Sequence, residues 1–101
     1  MKTLLNLTAA VLFSSLASVS FAGDAAAGKA KSMTCAGCHG ANGISNNPMW
    51  PNLAGQKQAY LASSLQMYRD GRRKNAMMSA MAKNLTDADI ANLAAYYSGL
   101  K

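Results

Sequence analysis

Cys35-Ala36-Gly37-Cys38-His39 is the stretch on which the reading of this chain turns, and it contains both cysteines and the single histidine of the 101 residues. Two thiols three positions apart, followed directly by an imidazole, allow three chemistries. A redox disulfide of the thioredoxin type needs βαβ patterning around the pair. Here an alanine-rich run precedes it and a Gly/Asn-rich loop follows. A structural zinc site needs a fourth Cys or His, and the chain has none to give. The third chemistry is covalent haem attachment. The thiols of Cys35 and Cys38 match the spacing of the two vinyl groups, and His39 supplies a neutral imidazole nitrogen to iron. The motif therefore favours one covalently bound haem c.

Working outward, Asp24 can cap a helix over Ala25 to Lys31, a run of helix formers with lysines towards its end. From Gly40 to Gly55 the composition shifts to Gly, Asn, Ser and Pro, which predicts a long irregular loop. Gln56 to Asp70 returns to helical spacing, with Tyr60, Leu61, Leu65 and Tyr68 on one buried face and Gly71 ending the run. A second loop is expected around Met77, Met78 and Met81. Thr86-Asp87-Ala88-Asp89 reads as a capping box before a last helix, in which Ile90, Leu93, Ala94 and Tyr97 recur at helical spacing until Gly99. No stretch alternates with period two, so the fold class is all-α.

The beginning of the chain reads differently. Lys2 followed by an uncharged stretch to Phe21, with small residues at Ser20 and Ala22, has the layout of an export signal. Cleavage after Ala22 is expected, leaving 23–101 as one domain. Asn6, Thr8, Ser14, Ser15, Ser18 and Ser20 dilute the stretch too much for a retained membrane anchor. A domain of that size is marginal on its apolar core alone and gains from an internal staple such as a cofactor. Ten Lys and Arg against four acidic residues give a net charge of +6, which favours acidic partners. Export, together with the lack of a basic face with interleaved aromatics, argues against nucleic acid.

With one histidine in the chain, an intramolecular second imidazole is excluded, so the far side of the iron is open or closed by another side chain. Lysine and methionine are both chemically possible. The cluster Met77, Met78 and Met81 favours methionine, although methionines also serve as flexible core fillers, and spacing does not choose among the three.

The whole of 23–101 resembles the small bacterial class I cytochromes c, both soluble monohaem carriers and single domains of dihaem cytochromes. The resemblance rests on Gly28, on Cys35 to His39 and on Pro51-Asn52-Leu53-Ala54-Gly55-Gln56. It continues through Met78-Ser79-Ala80-Met81 and the ending Leu85-Thr86-Asp87 to Ala95-Tyr96-Tyr97. It implies a class I fold of three to five helices around one haem, with His39 and Met78 as iron ligands. It also implies that the Pro51 carbonyl accepts a hydrogen bond from the other ring nitrogen of His39. Gly28 would let the first helix cross the last closely near Tyr96 and Tyr97.

The implied function is one-electron transfer between redox protein partners in the periplasm by a monomeric, non-enzymatic carrier. The alternatives are a haem subunit of a larger periplasmic dehydrogenase and a ligand-binding haem protein. Trp50, Leu53, Tyr60 and Leu65 are candidates for the apolar shell. Arg69, Arg72, Arg73 and Lys74 form the densest charge cluster. Its simplest reading is a helix end complementing the macrodipole, and its functional one is a docking patch.

Overall fold

Asp24 opens the first helix, its carboxylate accepting the N–H groups of Ala26 and Ala27 at 2.9 and 3.2 Å. The computed structural model describes residues 23–101, so the signal expected over 1–22 lies outside the described residues. Five α-helices follow in order: α1 Ala25–Lys31, α2 Ala36–His39, α3 Gln58–Asp70, α4 Ala76–Ala82 and α5 Asp87–Ser98, with a 3-10 turn Ser32–Thr34 between the first two. Among the described residues there is no strand. None of their helices is long and apolar enough to cross a membrane.

The helix ends follow their capping residues. Gly71, at φ 79°, adopts the left-handed conformation and closes α3. Thr86 and Asp89 form a reciprocal capping box, each side chain accepting the other's backbone N–H at 3.0 Å. The start of α3 falls two residues later than the composition suggests. The methionine segment is a correction, for it forms helix α4 where a loop was expected. Asn75 caps it by accepting the N–H groups of Met77 and Met78 at 3.1 and 3.0 Å, and the Ala- and Met-rich run behind it has high helix propensity.

Packing brings the two ends of the domain together. Gly28 of α1 is buried against α5, where a Cβ would sit 2.0 Å from the Asn92 carbonyl oxygen and 2.9 Å from Tyr96 Cβ. Only a residue without a side chain permits that crossing. The backbone N–H of Asp24 also donates to Asn92 Oδ1 at 2.8 Å. Leu61, Leu93, Ala94 and Tyr97 form the core, with Leu53, Leu65, Leu85 and Cys35 packed against it. Burying Leu93 fully is worth about 1.5–3 kcal/mol.

The irregular loop after α2 is pinned at several points. Leu53 and Ala54 donate to the Gly43 carbonyl at 2.8 and 3.0 Å, and Gly55 donates to the Tyr97 carbonyl at 2.9 Å. Tyr60 departs from the predicted buried face and is 51% exposed. The basic cluster at the end of α3 is divided. Arg69 pairs with Asp87 at 2.7 Å and Asp70 at 3.1 Å, and Arg72 pairs with Asp70 at 3.4 Å. Two of its four cations are thus committed to neighbours in the same chain.

Candidate functional site

The 3-10 turn and α2 carry Cys35, Cys38 and His39 to the wall of a cavity of about 650 Å3, a volume usual for small-molecule and cofactor sites. The loop adds Trp50, Pro51 and Leu53, α3 adds Tyr60, Leu61, Ser64, Leu65 and Tyr68, and α4 adds Met77, Met78 and Met81. All five side chains singled out in the sequence as anchor, ligand or support share this cavity.

His39 is the most enclosed polar residue of that wall after Tyr97, at 6% exposure. Its Nδ1 lies 2.9 Å from the Pro51 carbonyl oxygen. A carbonyl only accepts, so Nδ1 carries the proton and donates. That tautomer leaves the Nε2 lone pair free for a metal. Cys35 and Cys38 are free thiols, partly exposed, in helical surroundings unlike those of a dithiol oxidoreductase. Among the described residues no group of three or more His, Cys, Asp or Glu is placed to hold a metal ion, so Cys35, Cys38 and His39 do not converge as a zinc set.

The three methionines differ in environment. Met77 and Met81 are 53% and 47% exposed, while Met78 is more enclosed. The hydroxyls of Ser64 and Tyr97, both in the cavity wall, are buried with no hydrogen-bond partner. Burial first, and the nearby Cys35 sulfur next, push the Tyr97 phenol far above its ordinary range. It stays protonated at any physiological pH. A largely apolar cavity with two thiols, one free imidazole nitrogen, a thioether and orphaned hydroxyls fits a flat, amphiphilic, iron-bearing macrocycle.

Ser64, Tyr68, Arg73 and Asn75 also line the cavity and were not singled out for it from the sequence. Tyr60, Ser64 and Tyr68 stand at i, i+4 and i+8, a single stripe of α3. The stripe is legible as spacing, but a helix stripe facing a core and one facing a cofactor look alike.

Residues 25–101 match the cytochrome c family. The chain is 55% identical over 80 residues to cytochrome c-554(548) of Halomonas halodenitrificans, covering 76% of this chain and 96% of that one. It is 47% identical over 77 residues to the thiosulfate dehydrogenase electron acceptor of Thiomonas intermedia, covering 75% of this chain and 36% of that protein. The solved structure of reduced recombinant cytochrome c4 from Pseudomonas stutzeri superposes with a TM-score of 0.75 at 40% identity, covering 79% of this chain and 47% of that one. The chain therefore spans almost the whole of the first relative and less than half of the other two. Five helices without a strand among the described residues, a Cys-x-x-Cys-His segment on a cavity wall and a family match over nearly all of those residues make this chain a member of the cytochrome c family of electron-transfer proteins.

Proposed function

We propose that the chain is a periplasmic carrier of single electrons, holding one haem c through Cys35 and Cys38 with His39 and Met78 as the iron ligands. The observation that carries this reading is the fixed imidazole of His39. Its Nδ1 is committed to Pro51 at 2.9 Å, and it shares one cavity with both thiols and Met78. Cys35 and Cys38, both free and both on the cavity wall, would hold the group covalently through their sulfurs. Bound haem supplies a reversible ferric/ferrous couple.

The chain's own residues do the rest. Pro51 holds the imidazole plane, Met78 closes the site to exogenous ligands, and Trp50, Leu53 and Leu65 exclude water and favour the less charged ferrous state. Residues 1–22 are an export signal cleaved after Ala22, and the working protein is the monomeric domain 23–101. Its net positive charge suits redox partners with acidic surfaces.

A second reading, an electron acceptor or haem subunit of a dehydrogenase, is favoured by the likeness to the Thiomonas protein named for that role. The two readings share the same site and differ only in partner. Intact mass of the protein expressed with a working haem-attachment apparatus tests the common part. A mass equal to residues 23–101 plus one haem is expected, and a colourless protein weighing no more than its amino acids overturns it.

A further inference from the structure

We propose that Tyr97 is a positioning residue for the first covalent anchor, its phenol donating a hydrogen bond to the Cys35 sulfur in the loaded protein and thereby biasing the iron couple. The inference rests on the haem reading above and deepens it, because it gives the two anchors unequal surroundings. Tyr97 stands in the last turn of α5, 3% exposed, and its ring belongs to the core formed with Leu61, Leu93 and Ala94. Its hydroxyl is buried in the cavity wall and has no hydrogen-bond partner. A buried O–H that gives up water without gaining an acceptor destabilises a fold, so orphans of this kind are rare. A phenylalanine would fill the same space without that cost, and it is the oxygen that calls for an explanation.

Two polar side chains lie near enough to act on the phenol, Cys35 and Ser32, although neither bonds to it. Ser32 is already engaged, for its buried hydroxyl donates to the Lys29 carbonyl at 2.7 Å. The Cys35 sulfur has one long contact, 3.9 Å to Thr34 Oγ1, and is packed against the same core as the tyrosine ring. A free thiol both donates and accepts, and its S–H turns. A sulfur bonded to carbon on both sides only accepts, and its direction is fixed. Attachment thus leaves Tyr97 as a buried donor facing a sulfur that has become an acceptor.

The direction of the phenol is set by the fold. The Tyr97 backbone carbonyl accepts the Gly55 N–H at 2.9 Å, the Tyr96 ring lies 5.0 Å from the Tyr97 ring between centroids, and a Cβ on Gly43 would sit 3.1 Å from Tyr97 Cδ1. Cys38 does not pack against that core and serves as an internal reference. A donor on a sulfur joined to the macrocycle draws electron density from it, which favours the reduced state.

The test is a redox titration of the purified holoprotein together with resonance Raman spectra in H2O and D2O, using wild type, Y97F and S32A. In wild type the carbon–sulfur stretching band of one anchor is expected to move in D2O while that of the other stays. Y97F, which keeps the ring and its packing, should lose the isotope shift and lower the equilibrium constant for reduction about two- to fivefold. At 59 mV per tenfold, that is a midpoint about 20–40 mV lower. A purely structural tyrosine predicts no change in either readout, and S32A should leave both in place. No isotope-sensitive band in wild type, a Y97F midpoint equal to that of wild type, or the same loss in S32A overturns the contact. Failure of the haem reading itself shows separately, as a wild-type mass without covalent haem. Should Y97F fail to load, wild type and S32A decide: a shift confined to one anchor and retained in S32A supports the proposal, and its absence overturns it.

Discussion

Nδ1 of His39, at the end of α2, and the backbone carbonyl of Pro51, deep in the following loop, are joined by a hydrogen bond of 2.9 Å across twelve residues. The imidazole is thereby oriented by backbone and not by a side chain that evolution could easily exchange. The loop is itself held to α5 through the Gly55–Tyr97 bond, so the ring plane of His39 is set by the whole domain.

Methionine substitution distinguishes Met78 from its neighbours. M78A is expected to open the iron, producing a high-spin component and rapid carbon monoxide binding to the reduced protein. M77A and M81A, which remove side chains about half exposed, should keep the closed, low-spin spectrum. Carbon monoxide binding to M77A or M81A but not to M78A would transfer the ligand role.

The helix crossing makes a stability prediction from two glycines. G28A forces a methyl group against the Asn92 carbonyl and should cost about 1–3 kcal/mol in denaturant unfolding. G37A places its Cβ in open space within α2, with nothing inside 4 Å. That variant should be neutral or gain up to about 1 kcal/mol from helix propensity. Equal losses in both would mean that close approach of α1 and α5 is not the reason for Gly28.

Acid stability should carry the signature of Asp89. Its carboxyl is held below the ordinary value of 3.8, chiefly by the backbone N–H of Thr86. A group whose folded pKa is depressed stabilises the fold above its unfolded pKa and loses that contribution as pH falls through the folded value. Urea unfolding of D89N is expected to show about 1 kcal/mol less stability near neutrality and a shallower loss below about pH 4. Parallel acid limbs in the two proteins would remove Asp89 from the account.

Much of this fold is written locally. Asp24, Gly71 and the Thr86–Asp89 pair act through backbone groups within four residues of themselves, so their effect can be read without knowing the tertiary structure. Asn75 acts in the same way, so the helix that replaces the expected loop is also encoded locally, by its cap and the Ala- and Met-rich run behind it. The Cys35–His39 motif is equally self-contained. The α3 stripe of Tyr60, Ser64 and Tyr68 is not, because its destination depends on what packs opposite. Nor does sequence divide Arg69, Arg72 and Arg73, since their partners, Asp87 and the Tyr68 ring among them, are chosen by three-dimensional proximity.

The meeting of α1 with α5 has a bearing on biogenesis. Asp24 bonds to Asn92 across 68 positions, so the domain cannot close until almost its last helix has been synthesised. The first helix therefore has no α5 to pack on until nearly the whole domain exists, and closing that long loop is rewarded only at this last step.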